Sequence, residues 1–273
     1  MNKVYITFPE GKAKCLTMSY DDGKIQDKRL IEIFDSNGIK GTFNLNSGLF
    51  DSKVYNNDYP RIQADEVKEV YKDHEVATHT CTHPTIERCP LTEVAWEILE
   101  DRRRLEAITG KPVRGNAYPN GSYNKEIKSL FKQLGIEYAR VVETRPDYKL
   151  PEDPLEWHPT AHHNDQELMK KAEFFAEFKK SQYLKLMYVW GHSYEFDNAG
   201  NWEVIEKFCE YMGKREDIWY ATNIEITDYI DASKRLKFGV DNQFVYNPSA
   251  TLICLSVNGK YVEAGAGETV SLG

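Results

Sequence analysis

Seven times along the chain, a short β-like run is followed by a stretch with helical spacing, and that alternation is the strongest constraint on the fold. The strand runs are KCLTMSY, IKGTFNLN, HEVATH, PVRGNAYP, IEYARVVE, YLKLMYVW and IWYAT. Between them lie periodic segments, the clearest being LTEVAWEILEDRRRLEAITG, which Thr92 is expected to cap and Gly110 to end. Val94, Ile98, Leu105 and Ile108 form its apolar stripe. Such alternation predicts a parallel α/β sheet, open or closed into a barrel, with chemistry at the C-terminal strand ends. A loop rich in Pro and His, from Thr144 to Asp165, breaks the rhythm once.

After about Lys237 the texture changes to alternating apolar and polar residues, with Asn258-Gly259 as a hairpin turn. The expected division is a catalytic domain over residues 1–236 and a small β appendage over 237–273. The 273 residues suffice for a sizeable core. A net charge of −8 argues against a nucleic acid or an anionic membrane as partner. No apolar window is long enough to span a bilayer, and MNKVYITFPEGKAKC lacks a secretory apolar core, so a cytoplasmic location is expected. Five scattered cysteines without a CxxC pair read as free thiols. The patterning does not determine the oligomeric state.

The first strand ends in two adjacent carboxylates, Asp21 and Asp22, which oppose each other's ionisation unless a cation or a proton intervenes. The third ends in THTCTHPT, with His79 and His83 four residues apart. Extended, their Cα atoms would lie about 13 Å apart, too far to share a metal. One helical turn would bring both rings to one face and point Cys81 away, and Pro84 stops the turn from continuing. Two histidines and a carboxylate make a three-donor set with room for water on a divalent cation. One aspartate would then bind the cation and the other take a proton from its water.

Downstream, the turn after Tyr118 can line a pocket, and His192, just past an apolar strand, reads as a general acid. His158, His162 and His163 read as pocket lining or surface. Tyr118, Trp157, Trp190 and Tyr194 are candidates for stacking on a ring of a ligand, with Trp190 the one most expected to be core.

These pieces, in this order, resemble the polysaccharide deacetylase family (NodB homology domain, carbohydrate esterase family 4) over residues 12–235. Its T-F-D-D-G motif reads Ser19-Tyr20-Asp21-Asp22-Gly23, and its H-[ST]-x-x-[HS] motif reads His79-Thr80-Cys81-Thr82-His83. The resemblance implies a distorted (β/α)7 barrel of the NodB type. It also implies Asp21 as general base, Asp22, His79 and His83 as ligands of a divalent metal, usually zinc, and His192 as catalytic histidine. The implied reaction is removal of N-acetyl groups from an acetylated amino sugar or oligosaccharide by metal-activated water. The same site can serve O-acetyl xylan-type esters or non-sugar amides, and a silent carbohydrate-binding protein is the reading from another class.

The third motif, R-x-P-Y-G, departs here. Aligning Pro119 and Gly121 puts Ala117 where the arginine belongs and Asn120 where the tyrosine belongs, and Arg114 is out of register. Tyr118, Pro119 and Asn120 are expected to contact substrate. The fourth motif, a tryptophan with an acid that orients the histidine, is represented by Trp157 and Asp165.

Overall fold

The computed structural model describes residues 2–50 and 60–273. The strands are β1 (Val4–Thr7), β2 (Lys14–Asp21), β3 (Gly41–Leu45), β4 (Glu75–Thr78), β5 (Gly115–Ala117), β6 (Tyr138–Arg140), β7 (Ala161–His162), β8 (Lys185–Gly191) and β9 (Ile218–Tyr220). They are followed by β10 (Lys237–Phe238), β11 (Phe244–Tyr246), β12 (Ile253–Val257), β13 (Lys260–Ala264) and β14 (Thr269–Ser271). The helices are α1 (Asp27–Ser36), α2 (Ala64–Val70), α3 (Leu91–Thr109), α4 (Lys125–Gln133), α5 (Leu168–Glu177), α6 (Tyr194–Ala199), α7 (Glu203–Met212) and α8 (Asn223–Lys234).

The central sheet is parallel and runs β6-β5-β4-β3-β2-β8-β7, with β9 pairing the start of β2. It curls into a half-barrel, the parallel α/β sheet that the alternation predicts in the NodB-type form that the resemblance implies. On β2, β9 takes Lys14 to Leu16 and β3 takes Met18 to Asp21, so two strands follow one another along one edge. Every residue of β2 is buried, as expected for a strand covered on both faces. The seven predicted strands are β2, β3, β4, β5, β6, β8 and β9. β7 lies inside the segment read as a loop, because two residues carry no periodicity. α6 was likewise missed, being a single six-residue stretch.

Local chemistry explains the helix ends only in part. Gly110 takes φ +69 at the C-cap of α3, and Asn124 accepts a hydrogen bond from Ile127 N–H at α4. Thr92 does not cap α3, which begins one residue earlier behind Pro90.

β1, β12 and β13 form an antiparallel sheet, and β10, β11 and β14 a second one. Asn258 and Gly259 both have positive φ in the turn joining β12 to β13, as a two-residue hairpin requires. Leu255 and Ile253 share a buried cluster with Leu186, Tyr188 and Ile226, so the tail closes the base of the sheet. Among the described residues no helix is long and apolar enough to cross a membrane.

Glu75, at the base of β4, offers a test of how this end is held. Its carboxylate accepts from Tyr138 Oη (2.7 Å), Thr42 Oγ1 (2.8 Å) and Ile224 N (2.9 Å). Burial outweighs those bonds and pushes its pKa from 4.5 to about 7. Between these values the unfolded chain has lost the proton that the folded chain keeps. Glu75 therefore contributes stability below pH 4.5 that disappears as pH rises through about 7. Glu75→Gln should flatten that part of the stability profile, read from urea midpoints between pH 4 and about 8.

Candidate active site

The site starts at the end of β2. Asp21 points into the mouth of the half-barrel and is almost fully buried. Asp22 takes φ +78 and Gly23 φ +59, so the chain turns sharply and presents the second carboxylate beside the first. A Cβ on Gly23 would meet the Leu45 side chain at 2.8 Å, which explains the glycine. The Asp22 N–H donates to Asn44 O at 3.0 Å, fastening the turn to β3.

His79 and His83 do converge, but not through the expected helical turn. Thr80 (φ +66) and His83 (φ +61) are left-handed, and the segment is a bend. The residue before Pro84 cannot be right-handed helical without a clash, so the ring is brought in by a positive φ instead. Asn46 Nδ2 donates to the carbonyls of His79 (2.7 Å) and Thr80 (2.9 Å), holding this strained path. The Nε2 atoms of the two rings are 3.1 Å apart, and His83 Nε2 is 4.0 Å from Asp22 Oδ1.

Asp22, His79 and His83 offer three donor atoms within 4.8 Å of one another. His79 Nδ1 lies 2.7 Å from Ala117 O and donates to it, which fixes the tautomer and leaves Nε2 free as a lone pair. Burial lowers the His79 pKa to about 4, keeping it neutral. Donors bound to zinc at about 2.0–2.1 Å in a tetrahedral array stand about 3.3 Å apart, so the donor set fits such an ion with modest closure.

Asp21 is handled differently. Burial alone would raise its carboxyl pKa, but the Arg140 guanidinium, with His79 and His192 nearby, holds it down at about 2. Arg140 Nη2 pairs with Oδ2, and Asn44 Nδ2 donates to Oδ1 at 2.8 Å. Arg140 lies on β6, yet its Cα stands directly opposite Ala117 in the ladder. The cation missing from the third motif is thus supplied from the adjacent strand at the same height. Its guanidinium stacks on Trp190, 4.1 Å from the ring centroid, which gives that buried indole its place in the site. Arg114 takes no part; it pairs with Glu137 and Asp228 at the base.

His192 faces Asp21 from β8's end, its Nε2 3.9 Å from Oδ2, the same separation as His79 Nε2 on the other side. Its Nδ1 meets Glu195 Oε1 at 3.0 Å. Burial works against the charged imidazole, but the bond to Glu195 and the charges of Asp21 and Asp22 outweigh it, and the pKa is raised. The acid that orients His192 is therefore Glu195, three residues on in α6, not Asp165, which pairs with Lys171. Glu195 is itself clasped by His163 Nε2 (2.8 Å) and His162 Nε2 (3.4 Å). These three also form a donor cluster within 4.8 Å, but Asn164 N–H donates to His162 Nδ1, which puts the His162 proton on Nε2, facing the carboxylate. The third histidine of that loop, His158, lies outside the cluster against Glu143 and Glu156.

Glu195→Gln should lower kcat by about 10–100-fold, short of the about 10²–10⁴-fold attached to a general acid. Because the substitution lowers the His192 pKa, the alkaline limb of the rate profile should move to lower pH.

Three of the five proposed substrate contacts, Tyr118, Trp157 and Pro119, are buried. Tyr118 is buried and stacks on Tyr123 (4.8 Å) and Phe131 (5.3 Å), its hydroxyl donating to Leu155 O. Trp157 is buried edge-on to Tyr138 and Tyr188. Both are core, and neither offers a face to a sugar. Pro119 is also buried, whereas Asn120 is exposed at φ +56 and donates to Thr85 Oγ1 at 3.1 Å. Tyr194 does reach the site, with its ring 5.3 Å from His192.

Arg140, Glu195 and Asn44 are the residues that patterning missed. Their signals were an arginine inside an otherwise apolar strand and an acid at i+3 from His192 in HSYE.

The fold sets at its strand ends a two-histidine, one-carboxylate donor set and a separate acid–histidine pair. Residues 9–139 match the family model for polysaccharide deacetylase, so that segment is similar to that family. A chitin deacetylase of Arthroderma benhamiae is 31% identical over 138 residues, covering 49% of this chain and 34% of that protein. The chain thus spans about a third of that relative's length. Among solved structures, a Mycobacterium smegmatis protein assigned to the polysaccharide deacetylases aligns with a TM-score of 0.61 at 14% identity, covering 86% of this chain and 96% of that one. The Xyl-CE4 domain of a multidomain xylanase from the hindgut metagenome of Trinervitermes trinervoides aligns with a TM-score of 0.55 at 15% identity, covering 80% and 92%. At these identities the likeness is one of fold.

Proposed function

We propose that the protein is a divalent-metal-dependent deacetylase that hydrolyses the N-acetyl group of an amino sugar or oligosaccharide. The observation that carries the reading is Asp21: a carboxylate kept ionised by Arg140, midway between the three-donor cluster and His192, 3.9 Å from a ring nitrogen on either side.

Asp22, His79 and His83 would hold the cation, zinc by its donor set, which when bound supplies Lewis-acid polarisation of the acetyl carbonyl and acidifies water. Asp21, ionised and fixed by Arg140 and Asn44, takes a proton from the attacking water as its oxygen bonds to the acetyl carbon. His192, protonated through Glu195, gives a proton to the nitrogen as the carbon–nitrogen bond breaks, so acetate and free amine leave. Tyr194 at the rim is placed to pack on the sugar. Ala117 favours a silent binding protein when taken alone, but Arg140 occupies the role it leaves open.

Acetate release from N-acetylglucosamine oligomers, chitin fragments and acetylated xylan tests the reading, using zinc-loaded, chelated and reloaded protein. Release from the amide substrates, lost on chelation and regained with zinc, is expected. Release from xylan alone would move the reading to an O-acetyl esterase. Zinc binding without release from any of the three would favour the silent carbohydrate-binding protein.

A further inference from the structure

At the opposite end of the sheet from Asp21 lies a cavity of about 680 Å³, between α2, the turn after α3 and the start of α8. Its volume is that of a small-molecule site, and Val76, Pro112 and Ile224 give it an accessible apolar wall, with the buried Val67, Tyr71 and Val113 packed behind them. Around this wall stand five cations, Lys40, Lys68, Lys72, Lys111 and Arg114, a local excess on a chain of net charge −8.

Three of these cations are neutralised by neighbours. Lys40 is 2.5 Å from Glu225, Lys72 is 2.8 Å from Glu69, and Arg114 is 2.8 Å from both Glu137 and Asp228. Among the described residues Lys68 and Lys111 have no carboxylate within ion-pairing distance, and both are exposed. They approach the cavity from different elements, Lys68 from α2 and Lys111 from the turn after α3. Of the lining acids, Glu225 is paired and Glu75 is turned to three protein donors, which leaves Asp73 as the exposed acid at the rim.

We propose that this cavity is a second binding site, for a small organic anion. An apolar body lies against Val76, Pro112 and Ile224, and a carboxylate, sulfonate or phosphate is held between Lys68 and Lys111. The two free ammonium groups supply charge-assisted hydrogen bonds to the anion, and the apolar wall supplies desolvation. Nothing in the deacetylation chemistry uses this end of the sheet, so the site is separate from Asp21, His192 and the donor cluster.

The probe is 8-anilino-1-naphthalenesulfonate, an aryl sulfonate whose fluorescence rises when it is shielded from water. Titration into the whole zinc-loaded protein should saturate at one molecule per chain. The uncharged parent, N-phenyl-1-naphthylamine, should bind at least tenfold more weakly. Lys68→Glu combined with Lys111→Glu should weaken sulfonate binding at least tenfold and leave the neutral probe unaffected, with the circular dichroism spectrum unchanged because both positions are exposed. Chelating the zinc should not alter the titration. Equal affinity of the wild-type and charge-reversed chains, equal affinity for the two probes, or displacement of the dye by an acetylated chitin fragment would each overturn the proposal.

Discussion

Asp21→Asn is expected to lower acetate release by about 10²–10⁴-fold, the range attached to a positioned general base, while zinc still binds. The replacement is nearly isosteric, and Asn44 can still donate to the remaining oxygen. What changes is charge. Arg140, almost fully buried, loses its counter-ion, and breaking one side of a buried pair typically costs about 3–5 kcal/mol. Stability and activity should therefore fall together in the single variant. Adding Arg140→Met removes the stranded guanidinium, so the double variant should recover most of the lost stability and none of the rate. Urea unfolding beside acetate release makes the comparison, and a double variant that regained activity would remove Asp21 from the chemistry.

Arg140→Met alone tests the same pair from the other side. It leaves Asp21 buried with Asn44 as its main fixed donor, so the desolvation that Arg140 now offsets would raise the carboxyl pKa. Since the base must be ionised to act, the acid limb of the kcat/KM profile should move to higher pH. A stability loss of about 3–5 kcal/mol should accompany it. Ala117 stands beside Arg140 in the ladder, so Ala117→Arg with Arg140→Ala returns the cation to the strand where the family motif has it. Partial rescue of rate by that exchange is the outcome expected if height in the sheet matters and strand identity does not. A flat response, with both proteins folded, would show that Arg140 does more than compensate charge.

The strand-end logic was legible because it depends on short-range features. A largely apolar run ending in Asp21-Asp22-Gly23 marks a buried parallel strand and its exit, and the spacing of four from His79 to His83 marks a local convergence. Arg140 was not legible as Asp21's partner, because the two are 119 residues apart and meet only through the sheet order β6-β5-β4-β3-β2 and its curl. Glu195 was obscured for the opposite reason. It lies so near His192 that a six-residue helix escaped the periodicity test, and the search for an acid went to Asp165. Tyr118 and Trp157 show a third limit: an aromatic at a strand end has the same one-letter signature whether its ring faces solvent or packs on Tyr123 and Phe131.

The pairing of β1 with β12 sets Val4 against Val257 and Thr7 against Cys254. Chain growth on a ribosome delivers these partners far apart in time, because about 250 residues separate them. The half-barrel can assemble its inner strands as they emerge, but its base stays open until the segment from Ile253 to Val257 has been released. Until then Val4 to Thr7 presents an unpaired strand edge, the kind of surface that recruits other chains. Speed of translation through the last helix and the tail therefore bears on yield as well as on fold. A pause there lengthens the exposure of that edge, and a fusion that holds the C-terminus near the exit tunnel would do the same.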